Sequence, residues 1–181
     1  MRRLFIAINL PDNIKEKIEA NLRGKIRWLP PENWHLTISF LGYQPDEKIP
    51  AILKSIKETA ANFKPPKIEF EKTILAPPDK PPRMIWLTAA KETSEKLAAI
   101  KNCLDDSLIK NGVRFKIEKR KYNGHLTLAR FSTPIRNYEN IRNCEKQFIF
   151  TAQSLDLMES HLKRAGAKYE ILAKVDFSKQ T

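Results

Sequence analysis

The sequence predicts an α+β fold: two lobes related by an approximate two-fold axis, with antiparallel sheets facing a central cleft and helices packed outside. Three observations predict it. Runs with strand alternation are interleaved with runs of helical spacing. Tight-turn signals sit beside helical connections, which favours a mixed arrangement over an all-parallel sheet. The tetrad His35-Leu36-Thr37-Ile38 recurs as His125-Leu126-Thr127-Leu128, about 90 residues further along a chain of 181, and the order of elements around it recurs too. A chain of this length suits one domain, residues 1–181, carrying one tetrad per lobe.

The elements follow in order. Leu4–Ile8 is β-branched and apolar and reads as a strand. Pro11-Asp12 opens a helix to about Leu22, with Ile14, Ile18 and Leu22 on one face and Gly24 as its stop. A proline-held loop, Arg27–Asn33, leads to a strand over Trp34–Leu41 that Gly42 closes. A helix from about Asp46 to Asn62 buries Ile49, Ile52, Leu53 and Ile56, and Pro65-Pro66 ends it. Strands follow near Lys67–Leu75 and Met84–Ala89, separated by the proline-rich loop Ala76–Arg83. The second half brings a helix over Thr93–Lys110 with Asn111-Gly112 as its cap, then a strand near Val113–Ile117. The second tetrad lies on a strand running to Phe131. A short helix near Tyr138–Lys146 and strands near Ser154–His161 and Tyr169–Phe177 complete the chain.

On a strand, residues i and i+2 share a face, so each tetrad sets one imidazole and one hydroxyl side by side. Paired imidazoles supply an acid and a base for one proton-transfer reaction, since either form is populated near neutrality. Paired hydroxyls donate to the oxygens of an anion. His35 and His125 are therefore the candidate catalytic residues, with Thr37 and Thr127 binding phosphate, in a phosphoryl reaction that needs neither metal nor cofactor. Ser39 shares the His35 face if alternation holds. Arg130 falls opposite His125 by strict alternation, although its length and its place at the strand end let a guanidinium bend round to phosphate. His161 has no threonine two residues on and no metal ligand at a useful spacing.

Composition bounds the partners. The formal net charge of +12 favours a polyanion, through phosphate neutralisation and counterion release. Tyr122, beside Lys119-Arg120-Lys121, is the candidate RNA contact. No apolar run approaches the roughly 20 residues of a membrane span, and the N-terminal apolar run is too short for a signal peptide, so a cytoplasmic monomer is expected. Cys103 and Cys144 lack a Cys-x-x-Cys spacing and read as buried, reduced thiols.

The run Ile26–Gly42 around the first tetrad resembles the first motif of the two-histidine phosphoesterase superfamily, and within it the RNA 2′,3′-cyclic phosphodiesterase group, also called 2′–5′ RNA ligase-like proteins. His125-Leu126-Thr127-Leu128-Ala129-Arg130 resembles the second motif. Arg3–Ile8, Arg83–Leu87, and Leu157–Ser160 with Gly166 and Tyr169 are similar to further family segments, in order along the chain. The resemblance implies metal-free hydrolysis of RNA 2′,3′-cyclic phosphate ends to a 2′-phosphomonoester. It also implies His35 as proton donor to the leaving oxygen, His125 as the base on water, and Arg130 on the phosphate. Gly124 stands where the family often has proline. Two alternatives remain open: 2′–5′ RNA ligation by the reverse reaction, and a non-catalytic basic RNA-binding module.

Overall fold

A computed structural model describes residues 1–23, 26–135, 148–163 and 166–178. The elements in chain order are β1 (Arg2–Asn9), α1 (Asp12–Glu19), β2 (His35–Gln44), α2 (Ile49–Ala61), β3 (Lys67–Ala76), β4 (Met84–Ala89), α3 (Lys91–Lys110), β5 (His125–Arg130), β6 (Phe148–Thr151), β7 (Ser154–Lys163) and β8 (Gly166–Asp176). The α+β class is as expected. All strand pairs are antiparallel, and they join into a single eight-stranded sheet ordered β6-β3-β4-β5-β2-β1-β7-β8.

The sheet has a seam at its middle. β2 and β5 are joined there through one pair, Leu36 with Leu126. Beyond it the strands diverge, and other groups satisfy the freed backbone, as burial requires. The Leu29 N–H donates to the Leu128 carbonyl at 2.7 Å, and the Tyr122 hydroxyl donates to the Thr37 carbonyl at 2.8 Å.

The helices cover one face. Leu4, Ile6, Ile8, Leu36, Ile38, Ile85, Leu87, Leu126 and Leu128 form one core with Ile14 and Ile18 of α1, Ile52 and Ile56 of α2, and Leu97, Ile100 and Leu104 of α3. Burial of this apolar surface at roughly 25 cal/mol per Å² is the main force holding helices to sheet. No helix among the described residues is long and apolar enough to cross a membrane.

Several expectations change. Gly42 does not close its strand: β2 continues to Gln44, and Gly42 takes φ +69 at a register shift against β1, a conformation that glycine enters freely. Residues 113–117 form no strand, because no strand among the described residues pairs with them to make a ladder. Val113 is buried alone, and the Arg114 carbonyl accepts from the Gln44 side-chain amide at 2.8 Å. β6, unanticipated, seats Phe148 and Phe150 in the core beside β3. Cys103 is half-buried on α3. The helix expected over 138–146, and Cys144 within it, lie outside the described residues.

Candidate active site

The histidine and threonine of each tetrad lie on the sheet face opposite the helices, and the Leu and Ile alternating with them face the core. Their strands are neighbours in one sheet, side by side at its seam. With Leu36 paired to Leu126 in antiparallel sense, one step either way sets His35 across from Thr127 and Thr37 across from His125. The four side chains, all half-buried, border the seam.

The two imidazoles are held alike. His35 Nδ1 lies 2.9 Å from the Asn33 carbonyl, and His125 Nδ1 lies 2.8 Å from the Asn123 carbonyl, in each case two residues back. A carbonyl only accepts, so Nδ1 carries the proton and Nε2 is left for chemistry. Burial drives the His35 pKa down to about 4; the Asn33 carbonyl opposes this, and the positive charge of Arg130 adds to it. Burial and Arg130 lower the His125 pKa as well. Both rings are neutral at pH 7 in this state.

Each tetrad strand carries a β-bulge at the fourth residue of its motif. Ile6 pairs with Ser39 and Ala7 with Thr37, so Ile38 is the extra residue. Ile85 pairs with Ala129 and Trp86 with Thr127, so Leu128 is the extra residue. A bulge reverses the alternation beyond it. Ser39 therefore leaves the His35 face: it is buried and donates to Asp105 Oδ1 of α3 at 2.8 Å, where Lys101 completes a buried ion pair with Asp105. Arg130, by the same step, comes onto the His125 face without having to bend round the strand. Its Nη1 lies 3.4 Å from Met84 Sδ, and its charge acts on both imidazoles. Phe40 is its counterpart on β2, 64% exposed and 6.0 Å from Phe5 between ring centroids.

Tyr122 packs its ring on the core, and its hydroxyl is engaged by Thr37; burial raises its pKa. It braces the seam. Gly124 makes a proline unsuitable, since its N–H donates to Ser94 Oγ at 3.2 Å and a Cβ there would come within 3.1 Å of Ala89 Cβ. His161 does have carboxylate neighbours, against expectation: Nε2 is 3.2 Å from Glu170 Oε2 across β8 and 3.8 Å from Glu159 Oε2 on its own strand. Arg2 already pairs with Glu159 at 2.8 Å.

Sequence reading missed the rings that hold the imidazoles. Phe5 and Tyr169 flank His35 at 4.9 and 4.8 Å, and Trp86 stacks on His125 at 3.8 Å. The anchoring left a trace in the sequence, because Asn33-x-His35 and Asn123-x-His125 extend the repeat by two residues.

Two imidazoles anchored through Nδ1 on adjoining strands, each with a threonine two residues on and both within the influence of the Arg130 charge, are the arrangement of a two-histidine phosphoesterase. The LigT like Phosphoesterase family matches residues 10–86. The chain is 33% identical over 133 residues to the RNA 2′,3′-cyclic phosphodiesterase of Archaeoglobus fulgidus, covering 71% of this chain and 72% of that protein. It is 30% identical over 181 residues to the RNA 2′,3′-cyclic phosphodiesterase of Methanocaldococcus jannaschii, covering 94% and 98%. The crystal structure of TT0787 from Thermus thermophilus superposes with a TM-score of 0.77 over 97% of each chain, at 25% identity. The chain belongs to the RNA 2′,3′-cyclic phosphodiesterase family.

Proposed function

We propose that the protein hydrolyses RNA 2′,3′-cyclic phosphate ends to a 2′-phosphomonoester, with His35 as general acid and His125 as general base. The observation that carries this reading is the matched anchoring of the two imidazoles, which leaves an Nε2 from each strand for the same small ligand. A purely RNA-binding surface has no use for that match.

In the reaction, His125 Nε2 takes a proton from water as its oxygen attacks phosphorus. The bond from phosphorus to the departing ribose oxygen breaks, and His35 Nε2–H protonates that oxygen. Negative charge grows on the non-bridging oxygens, where the Thr37 and Thr127 hydroxyls and the Arg130 guanidinium donate. The acid requires a protonated His35, although burial favours the neutral ring in the protein alone. The phosphodiester anion supplies the missing favourable charge on arrival, since an opposite charge within a few Å restores the protonated form.

In the same reading the protein is one monomeric, cytoplasmic domain over residues 1–181, and the two halves of the sheet are lobes related by an approximate two-fold axis about a cleft at the seam. Outward from it, each half runs tetrad strand, preceding strand and two more strands. The matched bulges and matched histidine anchors support common descent.

The test is product analysis on a short RNA with a 2′,3′-cyclic end, in EDTA, resolving 2′- from 3′-phosphate. Accumulation of 2′-phosphate is expected. An intact cyclic end, or turnover that vanishes with chelator, overturns the proposal.

A further inference from the structure

The two histidines are held alike through Nδ1 but differ in what touches their ring faces. His35 meets Phe5 at an interplanar angle of 39° and Tyr169 at 81°, with centroids 4.9 and 4.8 Å apart. Tilted and edge-on contacts of this kind are what neutral aromatic rings prefer. His125 meets Trp86 at 22° with centroids only 3.8 Å apart, a nearly face-to-face stack. That geometry is poor for two neutral electron-rich rings and good when one of them is a cation over an indole face.

The sheet enforces the stack. Trp86 is paired with Thr127 and Thr88 with His125, so indole and imidazole are diagonal neighbours on β4 and β5. Trp86 is half-buried, with its Nε1 enclosed, so the ring cannot readily turn away.

We propose that Trp86 is the positioning residue of His125: its indole fixes the imidazole plane and carries the positive charge which that ring acquires on taking the proton of the attacking water. This rests on the base role given to His125 above. The charged group acting on His125 is Arg130 on its own strand, which opposes its protonation; His35 stands across the seam, and the β4 neighbours Trp86 and Thr88 bear no charge. Among these contacts the indole face is the one side-chain feature that favours the imidazolium. His35, as a donor, has to lose its proton in the same step, and a stack of this kind would oppose that loss.

The experiment compares wild type with Trp86→Phe and Trp86→Leu by two readouts: the pH–rate profile on a cyclic-phosphate RNA, and NMR titration of both histidines in the ligand-free protein. Trp86→Leu is expected to lower kcat about tenfold and the His125 pKa by about one unit, with His35 unmoved and Trp86→Phe between. An unshifted His125 titration in folded Trp86→Leu overturns the proposal, even if the rate falls. Should that variant not fold, an unshifted His125 in Trp86→Phe does the same, because phenylalanine keeps the packing and weakens the ring's hold on a cation. Loss of the RNA reaction in wild type would sink the assigned function while leaving the titration to judge Trp86.

Discussion

The two tetrads share a motif, an anchor and a bulge, yet they deliver different surroundings. Past the bulge, β2 presents Phe40 and β5 presents Arg130. His35 is wedged between Phe5 and Tyr169, whereas His125 lies flat on Trp86. The repeat fixes where the two Nε2 atoms stand, and in the proposed mechanism residues outside it decide which of them gives a proton and which takes one. Symmetry supplies position; neighbours supply role.

The comparison breaks most visibly if either histidine is dispensable. His35→Ala and His125→Ala are each expected to reduce kcat by about 10³-fold or more with folding retained, and the double variant by little beyond either single one, since the two act as a unit. Steady-state rates alongside circular dichroism check this. Arg130→Ala is expected to cost about 10²-fold, and Arg130→Lys to recover only part, because a point charge does not reproduce the planar fork. Phe40→Ala, the counterpart on the other strand, should leave the chemical step nearly intact and act on KM.

The pH profile sharpens the comparison further. Both histidines have lowered pKa values in the free protein, His35 to about 4. The proposed mechanism needs one neutral and one protonated ring, so the optimum of kcat/KM should fall on the acid side of 6.5. Bound phosphate raises both values, so the kcat optimum should lie at higher pH than that of kcat/KM. Coincident optima would refute substrate-assisted protonation.

The smallest effects concern stability. In the unfolded chain His35 takes up a proton near pH 6.5, but in the folded protein only near 4. The unfolded state therefore binds more protons between those values, and stability falls as pH drops through that window. His35→Gln should flatten this acid loss in urea melts taken from pH 7 to pH 4. Tyr122→Phe, which removes one donor from the Thr37 carbonyl, should cost about 1 kcal/mol in the same assay.

Much of this was legible in the sequence. The tetrads, their shared face and the apolar stripes of the helices follow from periods of two and 3.6. What period counting lacks is the extra residue of a bulge, which left Ser39 on the wrong face and Arg130 seemingly opposed to the histidine it accompanies. Ladder partners are equally hidden: Val113–Ile117 has strand composition and no strand partner among the described residues, while Phe148–Thr151 gains strand character from the edge of β3. The carboxylates beside His161 were half visible, with Glu159 two residues away on the same strand. Glu170 reaches the ring only through the β7–β8 pairing.

The sheet order also carries a consequence for assembly. The half bearing His125 is β3, β4, β5 and β6, one continuous stretch of chain; the half bearing His35 joins β1 and β2 to β7 and β8, made more than a hundred residues later. Contacts between distant segments form slowly, because loop closure must precede any gain from pairing. On a ribosome, β1 would wait with an unsatisfied edge until the final hairpin emerged. Phe5 and Tyr169 come from opposite sides of that late union. Until it happens the ring of His35 has only part of its setting, and a nascent chain holds its proposed acid half-made.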